Sequence, residues 1–86
     1  MIQKITAPIS VLTLFDHKKH IFTPLYVSWD GEKYKIKKIG YHHKVIEGKV
    51  LFHIFSVISE TLFFRLKFDT ESLLWVVEEI SDGEVN

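Results

Sequence analysis

The sequence predicts an all-β domain, a small antiparallel barrel or sandwich of about six strands joined as a meander. Three observations carry that expectation. Isoleucine and valine together number eighteen and aromatics twelve, whereas alanine, the best helix former, occurs once, at Ala7. Apolar positions alternate in most windows, and none shows the i, i+3, i+4, i+7 spacing of a helix better than it shows alternation. The apolar runs are separated mostly by about two to five polar or turn-forming residues, as in a meander. With 86 residues, 47% of them hydrophobic, the chain is one domain with a thin but real core.

Residues 1–8 read as an N-terminal arm and Ile9 to Phe15 as the first strand, sharing its apolar residues between two faces. Lys4 and the apolar run after it faintly imitate a secretion signal. Pro8 interrupts that run and Asp16-His17-Lys18-Lys19-His20 stands where small residues would be cut, so it is read as a strand. The chain resumes at His20-Ile21-Phe22, and Pro24, which cannot donate to a ladder, belongs at an edge or bulge. Leu25, Val27 and Trp29 lead into Asp30-Gly31, a two-residue turn signal because both central positions of a type I′ turn need positive φ. The return strand runs from Glu32 to Lys38, with Tyr34 and Ile36 inward between Lys33, Lys35 and Lys37. Ile39 is out of phase, so a bulge or strand end is expected near Lys38.

Gly40 and Gly48 bracket a segment read as a long loop. Val50 to Ile58 is apolar on both faces and reads as the central strand. Ser59-Glu60-Thr61 turns the chain into Leu62 to Phe68, and Asp69 to Ser72 turns it again, with Asp69 able to bond the backbone two residues on. Leu73 to Ile80 is the last strand, and residues 81–86 form a polar tail. The expected core is Leu25, Val27, Trp29, Tyr34, Ile36, Phe52, Ile54, Phe64, Leu66, Phe68, Trp75 and Val77. Leu51, Phe55, Val57 and Phe63 are left over, and need cover from residues 1–23 or from a second subunit.

Several chemistries find no support. Without cysteine there is no disulfide framework, thiolate nucleophile or Cys-ligated metal, which favours a cytoplasmic setting. No charge-free stretch approaches the roughly 18 apolar residues of a membrane span. The glycines are isolated, so no phosphate-cradling loop and no nucleotide cofactor is expected. Ser56, His53 and Asp69 can be named as a hydrolytic trio, but any chain of this length contains one, and no nucleophile elbow occurs. Glu78 and Glu79, adjacent on a strand, point to opposite faces. His17 and His20 flank a turn with only Asp16 beside them, so no metal site is expected, and His53 reads as a core histidine held by one backbone or serine bond. No residue is assigned as catalytic.

Net charge is zero but unevenly spread. Residues 1–68 hold all eleven bases against five acids, and residues 69–86 hold six acids and no base. Strand pairing that brings the two sets together is the simpler reading; a basic binding face is the other. Lys33, Lys35 and Lys37 stand about 6.5 to 7 Å apart on one strand face, a spacing comparable with nucleic-acid phosphates. Lys38, Lys44, Lys49, Arg65 and Lys67 can extend the row, and Tyr41, His42 and His43 supply rings for base stacking.

The order Trp29-x-Gly31-x-x-Tyr34-x-Ile36, then His53 to Val57, then Phe64 to Asp69, then Trp75 to Ile80 resembles a family of short, uncharacterised bacterial all-β proteins. The likeness covers roughly residues 24–82 and consists of turn and core signatures, so it implies a fold and transfers no functional residue. Somewhat similar small domains are associated with translesion DNA polymerase proteins, and the resemblance therefore implies a lean toward DNA transactions. The expectation is a non-enzymatic binding module for single-stranded nucleic acid, the alternative being a protein-interaction or homodimerisation module.

Overall fold

A computed structural model describes residues 2–82 as seven strands: β1 (Ile2–Asp16), β2 (Ile21–Trp29), β3 (Glu32–Lys35), β4 (Lys38–Glu47), β5 (Val50–Ile58), β6 (Phe63–Asp69) and β7 (Trp75–Ser81). All pairings are antiparallel, in the order β3-β2-β1-β7-β6-β5-β4. No helix among the described residues is long and apolar enough to cross a membrane. The all-β meander is therefore as expected, built as an open, sandwich-like sheet.

The sheet folds over within β1. Residues from Ile2 to Ile9 pair with β7, and residues from Ser10 to Asp16 pair with β2, so one strand supplies an edge to each of two layers. Register shifts between Lys4 and Ala7 and between Leu12 and Thr13 give the strand its bends. The second shift also accommodates Pro24, which pairs with Thr13 while Leu25 is left out of the register. On its other side β2 needs no donor from Pro24, because the ladder with β3 begins at Tyr26.

Between the layers lies a core of Val27, Phe55, Val57, Phe64, Leu66, Trp75, Val77 and Ile80. Phe22 closes it from above, its ring 5.9 Å from Trp75 and 6.1 Å from Phe55, while Tyr34 meets Phe64 at 5.2 Å. Cover for Phe55 and Val57 thus comes from within the chain. The expected core errs on β5, where alternation alone does not say which apolar face turns inward. Phe55 and Val57 point into the core; Ile54, although buried, lies on the opposite face between His43 and Lys67.

Turn chemistry follows the sequence closely. Asp30 and Gly31 have φ of 52° and 80°, as a type I′ hairpin requires. Ser59, buried, accepts the Leu62 N–H at 3.0 Å and donates to the Leu62 carbonyl at 3.0 Å. The Asp69 carboxylate accepts the N–H groups of Glu71 and Ser72 at 2.8 and 3.0 Å, and these bonds hold its pKa below the ordinary carboxylate value.

Two segments differ from the expectation. Residues 2–8 are the first half of β1 rather than an arm, because the alternation of Ile5, Ala7 and Ile9 against β7 continues the first strand across Pro8. The segment between Gly40 and Gly48 is not a loop: it is most of β4, paired with the whole of β5. Gly40 marks the register shift between Ile39 and Tyr41, the bulge expected near Lys38, and Gly48 turns the hairpin with φ of 63°. Of the expected polar tail, Ser81 ends β7, and residues 83–86 lie outside the described residues.

The passage from β3 to β4 ties the two ends of the sheet. Ile36 N–H donates to the Leu25 carbonyl at 2.9 Å, and the next residue, Lys37, donates to the Ile58 carbonyl at 2.7 Å. One residue extends the β2 ladder and its neighbour joins β5. Among the described residues β3 and β4 do not pair with each other, so the barrel stays open.

Leu66 is fully buried, and Leu66→Ala is expected to lower stability in urea unfolding by about 2 to 5 kcal/mol. Leu73, 68% exposed, has φ of 66°, where a side chain is strained. Leu73→Gly is expected to leave stability unchanged or raise it by up to about 1 kcal/mol. A loss comparable with that of Leu66→Ala would contradict this reading of the turn.

Candidate functional site

The structure distributes the eight residues of the expected nucleic-acid surface over three places. Tyr34 pairs with Val27 and points inward, so Lys33 and Lys35 on either side of it face outward from the smaller layer, with Lys33 Nζ 5.9 Å above the Tyr26 ring. Lys37 follows in the passage to β4, and Lys38 is the first residue of β4. All four lysines are exposed. The two ion pairs among the described residues, Arg65–Glu78 at 3.2 Å and Lys67–Glu47 at 2.8 Å, involve none of them. Part of the charge asymmetry is explained elsewhere: Lys4 and Arg65 both stand opposite Glu79 in the ladders that flank β7, and Arg65 pairs with Glu78.

Strand geometry divides the rest of the set. On β4, Tyr41 and His43 lie opposite Ser56 and Ile54 on the outer face of the larger layer, whereas His42 and Lys44 lie opposite Phe55 and His53 on the inner face. Tyr41 remains on the strand that continues the lysine edge, 59% exposed, its ring 4.9 Å from that of His43. The Nδ1 of His43 is buried without a hydrogen-bond partner. The tautomer with hydrogen on Nε2 leaves only a lone pair unmatched there, a smaller penalty than an orphaned N–H.

His42 and Lys44 turn toward a groove at the open end between the layers. His53, expected to bond backbone or serine, instead has its Nδ1 2.7 Å from His42 Nε2. The His42 ring lies flat on Phe55, centroids 4.0 Å apart. Phe22 stands edge-on to His53 at 6.0 Å and tilted against Phe68 at 5.1 Å. Phe22, His42, His53 and Phe68, with Phe15, His20, Ile21 and Lys44, line an open groove of about 520 Å³. Desolvation lowers the pKa of both His42 and His53; the charges of His53, Lys44 and His43 lower His42 further, and Lys44 does the same to His53.

Sequence reasoning missed this pair. The signal was present in the two-residue spacing of His42 and Lys44, which puts both on one strand face, but the flanking glycines suggested a loop. The trio of Ser56, His53 and Asp69 is not assembled: His53 faces the groove, Ser56 the opposite side of β5, and Asp69 is engaged in its turn. Among the described residues no group of three or more His, Asp or Glu side chains is arranged to hold a metal ion. A second hollow of about 370 Å³ is lined by Lys4, Arg65, Glu78 and Glu79, whose opposite charges offset one another. No family model, curated protein or solved structure matches the chain.

The histidine pair gives stability a pH dependence of known sign. Its folded pKa values lie below the 6.5 of a free histidine, so just below pH 6.5 the unfolded chain binds more protons and acid favours unfolding. Above that pH the pair contributes no slope. NMR titration is expected to give both rings midpoints below 6.5, with the urea midpoint falling as the pH drops from about 6.5 to 5 and falling less in His53→Phe. A His53 midpoint at or above 6.5 would contradict the burial argument.

Proposed function

We propose that the protein is a small non-enzymatic binding module whose tied edge takes single-stranded nucleic acid. The observation that supports this most directly is the run of Lys33, Lys35, Lys37 and Lys38, exposed and outside the ion pairs among the described residues, leading to exposed Tyr41 on the adjoining strand. Cations held at strand spacing engage successive phosphates and release counterions, and a ring beside them gives a base a stacking surface. Such binding is tolerant of sequence, since nothing along the edge reads base edges by paired donors and acceptors. The cysteine-free composition supports a cytoplasmic setting for it.

A second reading, association with a protein or a second copy of the chain, is favoured by the outer face of the larger layer. There Phe63 is 43% exposed beside Ile58, which in turn pairs with Lys38 on β4. Light scattering after gel filtration separates self-association from the monomer: a mass near 10.1 kDa at micromolar concentration excludes a stable dimer.

Labelled single-stranded DNA and RNA titrated at two salt concentrations test the main reading. Affinity is expected to fall steeply with salt, and changing Lys33, Lys35, Lys37 and Lys38 together to Gln is expected to flatten the log–log slope by about three units. A slope untouched by the fourfold change, or binding weaker than about 1 mM at about 50 mM salt, would discard the nucleic-acid reading.

A further inference from the structure

We propose that the groove at the His42–His53 pair is a seat for a small organic anion with an aromatic body, an aryl carboxylate being the chemistry that fits. Its volume, about 520 Å³, falls in the range of small-molecule sites. Its walls are apolar where a ring would lie: Phe22 and Phe68 behind, with Phe15 and Ile21 at the mouth, 60% and 48% exposed. An occupant would cover apolar surface that the fold leaves wet.

Polarity selects the charge of the occupant. Every polar side chain in the lining, Lys44, His20, His42 and His53, is a cation or can become one, and no carboxylate lines the groove. The acids that follow lining residues in sequence, Asp16 and Asp69, are each turned to their own loops: Asp16 Oδ1 accepts the N–H groups of Lys18 and Lys19 at 2.9 and 3.2 Å, and Asp69 Oδ1 those of Glu71 and Ser72 at 2.8 and 3.0 Å. A neutral ring would desolvate Lys44 without giving it a partner. A bare inorganic anion would meet the cations and leave Phe15 and Ile21 uncovered.

The histidine pair adds a proton-linked contact. At 2.7 Å one ring nitrogen donates to the other, so the neutral pair has one donor and one acceptor among its remaining nitrogens, His42 Nδ1 and His53 Nε2. A carboxylate only accepts. One proton taken from solvent converts the remaining acceptor into a second donor, and the pair then matches the anion. The charged groups that oppose that proton until the anion arrives are Lys44 and His43 from β4; His20 of the β1–β2 turn shares the lining, and β6 contributes only Phe68 to it. Binding should therefore take up a proton and strengthen as the pH falls toward 6.

The test uses the full chain with naphthoate, naphthylmethanol and acetate as probes, followed by NMR and by calorimetry in two buffers of different ionisation enthalpy. Naphthoate is expected to saturate with shifts at His42, His53 and Phe22, to bind at least about tenfold more tightly than either other probe, and to weaken about tenfold in Lys44→Gln. The buffer dependence is expected to show proton uptake, and His53→Phe to abolish that uptake while the chain stays folded. Equal binding of naphthoate and naphthylmethanol, shifts centred away from the groove, or an affinity indifferent to Lys44→Gln would overturn the assignment. None of Lys33, Lys35, Lys37 and Lys38 lines the groove, so the four-lysine change along the tied edge is expected to leave this binding intact and the two sites stand or fall separately.

Discussion

A single strand has to satisfy two layers at once. The fifteen residues of β1 give their first half to β7 and their second half to β2, and the handover at Ile9 and Ser10 folds the smaller layer over the larger. Without that handover the chain would be one flat sheet with an apolar face in water, a state that a strongly hydrophobic antiparallel sheet does not sustain. Alternation of Ile5, Ala7, Ile9 and Val11 allows it, since all four pack against the core while the strand changes partner. The core, the groove at the open end of the layers and the tie between the sheet edges all follow from this fold-over.

Phe22 links the groove to the core. Its ring meets Phe55, Phe68 and Trp75 of the core and also His53 of the groove, so the surface that lines the groove is also the wall of the hydrophobic interior. The histidines sit on packed strands rather than on a loop, with His42 held flat against Phe55. Their positions are thereby set by the same packing that stabilises the fold, and rigidity of this kind is what lets a site distinguish ligands by shape.

Much of the fold was legible because hairpin chemistry is local. Asp30-Gly31, Asp69 and the lysine-flanked Tyr34 each state their role within a few residues. The face of β5 was not legible, since both of its sides are apolar and only the layer above it, brought by β1, decides that Phe55 and Val57 rather than Phe52 and Ile54 go inward. The run from Gly40 to Gly48 was misread for a related reason: glycine marks a bulge as readily as a loop, and pairing with β5 distinguishes the two. In the candidate site the lysine edge could be seen in advance. The His42–His53 contact joins residues on neighbouring strands, and it becomes visible only when the register is known.

The tie at Ile36 and Lys37 has a topological consequence. Around the sheet the strands follow chain order, each beside its predecessor, except that β3 and β4 are unpaired while β7 closes onto β1. Ile2 stands opposite Ser81 at that closure. The architecture is thus a circular permutation of a linear meander running from β4 through β7 and β1 to β3, in which every pairing would join consecutive strands. In the natural order, five of the six ladders are hairpin neighbours that can form early, and the sixth must bring Ile9 to Trp75 across most of the chain. Loop-closure entropy therefore concentrates in one step, the zipping of β1 to β7, and that step governs how fast the two layers find each other.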